Sequence, residues 1–129
     1  MTEKYEIYKC DICGNTVEIV HDGRGTLVCC GQPMTKMVPK TTEAGTEKHL
    51  PVVEPDGQGV LIKIGSVPHP MEEAHYIEWV EVFRKDGKVI RIPLKPGDKP
   101  EVHFGHPIED ILEVRTYCNV HGLWSKKLG

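Results

Sequence analysis

The sequence predicts an all-β protein of two domains, and three observations carry this prediction. After residue 46, segments rich in β-branched and aromatic residues recur about every 8 to 12 residues, as in a β-sandwich. No segment has convincing helical periodicity. Four of the five cysteines lie near the N-terminus, in a stretch with too few apolar residues to fold by burial alone. We therefore expect a small metal-bound domain at residues 1–38, a linker at 39–46 and a β-sandwich at 47–129.

The N-terminal stretch contains three short candidate strands at residues 5–8, 16–20 and 26–28. Asp22-Gly23 and Gly25 favour turns between the last two of them. The segment PKTTEAGT at 39–46 is polar and contains proline and glycine, which is typical of a linker.

Six further candidate strands follow the linker, at residues 50–54, 60–64, 76–85, 88–94, 101–104 and 111–117. Asp86-Gly87 lies between the third and the fourth and predicts a hairpin with a two-residue turn. Prolines at 93, 96 and 100 argue against a helix in that region. These features together predict a sandwich of short strands.

Composition excludes several classes of protein. The formal net charge is −3 and the lysines are scattered, so no basic surface for nucleic acid is expected. The sequence has neither a long apolar run that could span a membrane nor an apolar secretion signal in MTEKYEIYK. We expect a cytoplasmic protein, because thiols stay reduced there and an odd number of cysteines cannot all form disulfides.

The N-terminal cysteines have the spacing of a metal site. Cys10 and Cys13 form a Cys-x-x-Cys motif, and the adjacent pair Cys29-Cys30 follows, with a glycine directly after each motif. Four thiolates on two tight turns suit a tetrahedral site for iron or zinc.

A second metal site is predicted in the β-sandwich domain, where a lone cysteine and several histidines lie beside turn signals. Side chains in loops at strand ends can converge on one point. The residues concerned are His49, His69, His75, Cys118 and His121. The other three histidines lack such a setting and are expected to be ordinary: His21, His103 and His106.

These patterns together resemble the desulfoferrodoxin family, the two-iron form of superoxide reductase. The resemblance is carried by the two cysteine motifs, by EKH at 47–49, by HPMEEAH at 69–75 and by CNVHG at 118–122. It spans nearly the whole chain, without a departure at any expected ligand. It implies a desulforedoxin-like or rubredoxin-like iron domain followed by an immunoglobulin-like β-sandwich that carries a catalytic iron.

The resemblance also implies two iron ions per chain and a ligand set for each. The first iron would be held by Cys10, Cys13, Cys29 and Cys30. The second would be held in one plane by His49, His69, His75 and His121. Cys118 would be its axial ligand, opposite an open sixth position.

The implied activity is reduction of superoxide by one electron to hydrogen peroxide, without evolution of oxygen. An external electron donor such as rubredoxin would reduce the oxidised iron back to Fe(II). Lys48 would attract superoxide and order a proton-donating water, and Glu47 would occupy the open position of the oxidised iron. The implied assembly is a homodimer.

The types of residue in the second cluster support this chemistry independently of the family resemblance. Four neutral imidazoles and one thiolate on Fe(II) leave one net positive charge, which attracts an anion. Five protein ligands are too many for an ordinary zinc site. A soft thiolate among nitrogen ligands suits redox-active iron.

Several alternatives remain open from the sequence. The four N-terminal cysteines also fit a structural zinc or iron site that transfers no electrons. Lys48 and Glu47 could equally be ordinary charged residues exposed to solvent, with no role in a site. A cupredoxin-like electron carrier would need a methionine soon after His121, where the sequence has GLWS. A zinc-binding interaction module explains the cysteines and leaves the histidines and Cys118 unused.

Overall fold

A computed structural model describes residues 1–43 and 48–129. These residues form twelve strands and one short 3₁₀ turn, Ile108–Asp110, and they include no α-helix. Within this part of the chain, no helix is long and apolar enough to cross a bilayer. The chain divides into two compact units, Met1–Val38 and Pro39–Gly129. The predicted all-β class is confirmed.

The first unit is small and sparsely packed. Its strands are β1 (Ile7–Lys9), β2 (Thr16–Glu18), β3 (Val28–Cys29), β4 (Gln32–Pro33) and β5 (Thr35–Met37). β1 is the central strand of an antiparallel sheet of order β2-β1-β5, and β3 pairs with β4. The buried hydrophobic residues of this fully described unit are Ile7, Cys10 and Ile19. So little buried surface leaves a bound metal as the natural source of further stability.

The second unit is a sandwich of two antiparallel sheets. Its strands are β6 (Pro51–Asp56), β7 (Gly59–Ile64), β8 (Ile77–Arg84), β9 (Val89–Pro93), β10 (Glu101–Phe104), β11 (Ile111–Cys118) and β12 (Gly122–Lys127). One sheet has the order β10-β7-β6 and the other β12-β11-β8-β9. The main hydrophobic core draws on both, so the predicted sandwich is confirmed.

The alternation of side chains explains how the core forms. In β7 every second residue is buried, and these are Val60, Ile62 and Ile64. They meet Val80 and Val82 of β8 in the same core cluster. Successive side chains of a strand point to opposite faces, so one face of each sheet packs inward.

The predicted hairpin forms, but its turn is one residue longer than predicted. The Arg84 amide donates to the carbonyl of Lys88 at 2.9 Å, which leaves residues 85–87 as the connection. The Lys85 amide donates to Asp110 outside the hairpin, at 2.9 Å. Gly87 has a φ of 91°, which suits the left-handed position of a three-residue turn.

A buried charge network joins three strands of the larger sheet. Glu81 of β8 is 1% exposed. Arg115 Nε of β11 donates to its Oε1 at 3.0 Å, and the Arg91 guanidinium of β9 donates to its Oε2 at 3.1 Å. Burial raises the pKa of the Glu81 carboxyl despite the opposing charge of Arg115. The carboxylate is therefore stable in the sheet only together with its arginine partners.

Replacing Arg115 with methionine should lower the free energy of unfolding by about 3–5 kcal/mol, because it leaves the Glu81 charge buried beside a single partly exposed arginine. The double variant with Glu81→Leu should recover most of that loss. Urea unfolding followed by tryptophan fluorescence measures this, since Trp79 and Trp124 both lie in the second unit. A loss below about 1 kcal/mol for Arg115→Met would contradict the assigned role of the pair.

Candidate metal centre

Strand register brings the predicted histidines and Cys118 together. β8 begins at Ile77, which pairs with Cys118 at the end of β11. β12 begins at Gly122, which also pairs with Cys118, and Pro51 at the start of β6 pairs with Ile64 at the end of β7. In an antiparallel pair the start of one strand lies beside the end of the next. The loops that carry the five predicted residues therefore meet.

These five residues form one compact group, called here the histidine cluster: His49, His69, His75, Cys118 and His121. One ligand atom from each lies within 4.8 Å of every other. His49 Nε2 is 3.1 Å from His121 Nδ1, which is 4.0 Å from Cys118 Sγ.

The four imidazole rings form a closed circuit. The distances between neighbouring ring centroids are 4.5 Å for His49–His69, 4.9 Å for His69–His75, 5.1 Å for His75–His121 and 4.8 Å for His121–His49. Four rings around a common centre, with the Cys118 thiol in the same group, match the donor set of a five-ligand metal site. The remaining histidines, His21, His103 and His106, are not part of this group.

Hydrogen bonds fix the orientation of individual members of the cluster. His69 Nδ1 donates to the carbonyl of Pro70 at 2.8 Å, so its Nε2 is the ring nitrogen available to a metal. The backbone amide of His121 donates to Cys118 Sγ at 3.4 Å, which orients the sulfur. The buried Thr116 hydroxyl donates to the backbone carbonyl of His49 at 3.1 Å.

Asn119 ties the loop of Cys118 to the loop of His75. Its Oδ1 accepts the amide of Tyr76 at 2.9 Å, and its Nδ2 donates to the carbonyl of Ala74 at 3.1 Å. Its own amide donates to the carbonyl of Tyr76 at 3.2 Å. No role for Asn119 was predicted from the sequence, although its place inside the CNVH motif was the available signal.

Trp124 of β12 and its bridge partner Lys40 both contact the cluster. The Trp124 ring is stacked on His49, with centroids 4.4 Å apart and planes 5° apart. Lys40 pairs with Trp124 in an isolated β-bridge, and its Nζ donates to the carbonyl of His121 at 2.8 Å. Neither residue was predicted from the sequence. Lys40 falls in the segment predicted to be a linker, where its backbone is bonded to Leu123 and Ser125.

Lys48 lies beside His49, and its backbone packs against Gly65. A Cβ at position 65 would come within 2.6 Å of the carbonyl carbon and oxygen of Lys48. The close approach therefore requires glycine. Glu47, the other predicted catalytic residue, lies outside the described residues.

The four N-terminal cysteines form the second group, called here the cysteine cluster: Cys10, Cys13, Cys29 and Cys30. One thiol from each lies within 4.8 Å of every other, and Cys13 Sγ is 3.5 Å from Cys29 Sγ. Backbone amides of the first turn point at the sulfurs: Cys13 N donates to Cys10 Sγ at 3.5 Å, and Asn15 N donates to Cys13 Sγ at 3.5 Å.

These contacts give the four thiols different pKa values. The amide of Cys13 lowers the pKa of the Cys10 thiol to about 6. The neighbouring Cys13 thiol raises the pKa of Cys30 to about 12. Four thiols of which one ionises readily, on two tight turns, fit the tetrahedral sulfur site of iron or zinc.

The fold and the two clusters define a class of protein, an all-β protein of two units with one group of four thiols and one group of four imidazoles and a thiol, each able to hold a metal. The sequence profile of the desulfoferrodoxin N-terminal domain matches residues 2–37, and that of desulfoferrodoxin matches residues 41–127. The chain belongs to the desulfoferrodoxin family.

Individual relatives agree with this assignment. The chain is 59% identical over 124 residues to the desulfoferrodoxin homolog of Archaeoglobus fulgidus, covering 96% of this chain and 98% of that one. It is 53% identical over 127 residues to the desulfoferrodoxin of Syntrophotalea carbinolica, covering 98% and 99%. Among solved structures, the superoxide reductase from Treponema pallidum has a TM-score of 0.74 and 31% identity, covering 95% and 97%.

Replacing Asn119 with alanine should weaken metal binding at the histidine cluster by about 10- to 100-fold, because the two loops lose the hydrogen bonds of the Asn119 side chain to Tyr76 and Ala74. Co(II) titration in competition with a chelator, followed by optical absorption, measures each cluster separately. The matched variant Asn15→Ala removes an amide side chain that lies 3.9 Å from Cys29 Sγ, and it should leave the histidine cluster unchanged. Equal affinities in Asn119→Ala and wild type would contradict the role assigned to Asn119.

Proposed function

We propose that this chain is a superoxide reductase, which reduces superoxide to hydrogen peroxide at an iron held by the histidine cluster. The observation that carries the proposal is the closed circuit of four imidazoles with a cysteine thiol in the same group. Similarity over 95% of the chain to the superoxide reductase from Treponema pallidum supports it. The reaction consumes one electron and two protons per superoxide and releases no oxygen.

Bound iron would supply the electron and a coordination position for superoxide. The protein supplies the rest of the chemistry. Its ligand set would consist of four neutral imidazole rings and a single thiolate. The thiolate neutralises only part of the charge of Fe(II), so the site keeps a net positive charge that attracts an anion. Cys118 is buried, and the His121 amide orients its sulfur, which would be the thiolate donor to the iron. The electron density of that thiolate favours electron transfer toward the substrate.

Two charged residues complete the proposed site. Lys48 precedes His49 and would draw superoxide toward the cluster and order a proton-donating water. Glu47 is proposed to bind the oxidised iron between turnovers. The cysteine cluster is proposed to hold a second iron. A small electron-transfer protein such as rubredoxin would be the donor, and the working unit would be a homodimer in the cytoplasm.

Metal analysis combined with visible absorption tests the proposal against its rivals. A superoxide reductase should contain two irons per chain and consume superoxide with formation of peroxide and without oxygen. Copper in place of iron would indicate an electron carrier. Zinc alone, with no superoxide consumption after iron loading, would indicate a metal-binding module and overturn the proposal.

The two clusters should be separable by matched cysteine substitutions. Cys118→Ser should abolish turnover and bleach the thiolate-to-iron absorption of the oxidised histidine cluster, because a hydroxyl is a harder and weaker electron donor than a thiolate. Cys13→Ser, the same atomic change in the other cluster, should disrupt the all-sulfur iron and leave superoxide reduction largely intact. Both variants are examined by iron content, visible spectrum and pulse radiolysis.

Two results would contradict this assignment. Wild-type absorption or turnover in Cys118→Ser would show that Cys118 is not the thiolate ligand. Loss of activity in a Cys13→Ser protein that still holds its histidine-cluster iron would show that the clusters do not act independently.

Lys48→Ala should slow capture of superoxide about tenfold at low salt. A unit charge at roughly 6 Å contributes about 0.7 kcal/mol in water and about 3 kcal/mol at an effective dielectric of about 20, equivalent to about 3-fold and about 100-fold in rate. The difference should narrow at high ionic strength, since the Debye length falls to about 3 Å near 1 M salt. Pulse radiolysis across ionic strengths measures the second-order rate.

Lys88→Ala is the matched control for Lys48→Ala. Lys88 is exposed beyond the far end of β8, roughly 25 Å along the strand from the histidine cluster. Removal of its charge should leave the capture rate unchanged. If both variants match wild type at low salt, Lys48 is an ordinary surface lysine and the steering role fails.

A further inference from the structure

Glu43 makes a set of contacts that no part of the proposed mechanism uses. Both of its carboxylate oxygens accept the backbone amide of His49, at 3.0 and 2.9 Å, and Oε2 also accepts the amide of Leu50, at 3.1 Å. The Glu43 side chain is 19% exposed. A largely buried carboxylate that accepts two adjacent amides holds that backbone firmly.

The same carboxylate faces the outer nitrogen of the His49 ring. His49 Nε2 lies 3.1 Å from His121 Nδ1 and therefore points into the histidine cluster. On the other side of the ring, Nδ1 is 3.9 Å from Glu43 Oε1. That distance is too long for a hydrogen bond but close enough for a strong electrostatic effect on the ring.

Three contacts of His49 thus act on different parts of the residue. Thr116 holds the backbone carbonyl, Trp124 covers the face of the ring, and Glu43 holds the backbone amide. Of these three partners, only Glu43 carries a charge. Its effect on the ring can therefore be separated from its effect on the backbone by a neutral substitution of the same shape.

We propose that Glu43 is a positioning residue of the metal centre, which fixes the backbone of His49 and raises the electron density that the His49 ring gives to the metal. The proposal rests on the iron site proposed above. A carboxylate beside the outer nitrogen of a ligating imidazole makes the ring a stronger donor and favours the higher charge state of the metal. Glu43 therefore lowers the reduction potential of the histidine-cluster iron.

Two substitutions separate the two effects. Glu43→Gln keeps an oxygen that can accept the amides and removes the charge. Glu43→Ala removes both. Glu73→Gln is the matched control, because it removes one negative charge from an exposed side chain in the loop between His69 and His75. The cysteine cluster in the same molecule provides an internal reference for every measurement.

The experiment is a redox titration of the iron-loaded full chain, followed by the visible absorption of each centre. Glu43→Gln should raise the ferrous-to-ferric ratio of the histidine-cluster iron about tenfold at a fixed potential, which corresponds to about 59 mV for a one-electron couple. Glu43→Ala should do the same and, in addition, lose Fe(II) to a chelator about tenfold more readily. Neither should change the cysteine-cluster iron, and Glu73→Gln should match wild type.

A potential in both Glu43 variants equal to that of Glu73→Gln would overturn the proposal. If the wild-type histidine cluster binds no iron, the proposed function itself fails. Amide hydrogen exchange in the metal-free chain then still tests the backbone role: Glu43→Ala should remove protection from the amides of His49 and Leu50, and unchanged protection would overturn that role as well.

Discussion

The antiparallel register of β8 and β11 is the constraint on which the rest of the second unit depends. The pairing of Ile77 with Cys118 places the start of one strand beside the end of the other. A shift of one residue would exchange the two faces of β11 and move Val114 out of the core. It would also turn Cys118 away from the histidines. The packing of the core and the assembly of the cluster therefore depend on the same hydrogen-bond ladder.

The two clusters illustrate different ways of assembling a metal site. The cysteine cluster draws on two turns of a short unit with few buried residues, so its geometry is local and metal and fold depend on each other. The histidine cluster draws on residues from 49 to 121, and a well-packed sandwich holds it. Its side chains are oriented by hydrogen bonds to neighbouring groups, such as the bond from His69 Nδ1 to the carbonyl of Pro70. Such a site can be largely formed before a metal arrives.

The sequence predicted the fold class, nine of the strands in approximate position and the members of both clusters. It succeeded there because alternating burial and ligand spacing are local signals, and because the residues match family motifs. It missed the short strands β4 and β5, and it missed β12, whose sequence GLWSKK has little alternation and which is defined by its pairing with β11. It also missed Glu43, Lys40, Thr116 and Trp124. The contacts of Lys40, Thr116 and Trp124 span long sequence separations, such as the 67 residues between Thr116 and His49, and no local pattern encodes them. Glu43 is close to His49 in sequence, but a carboxylate in a polar segment gives no local sign of bonds to the His49 amide.

The pairing of Lys40 with β12 has a consequence for how the chain can be divided. The segment after Val38 has the composition of a linker, yet its backbone adds to the edge of the larger sheet through bonds to Leu123 and Ser125. A fragment that starts at residue 47 would expose that edge and discard Lys40 and Glu43 together. An excised second unit, or a chimaera with another N-terminal domain, should therefore begin at Pro39. Composition marks the region where the boundary falls, and the hydrogen bonds of Lys40 determine the residue at which a cut is tolerated.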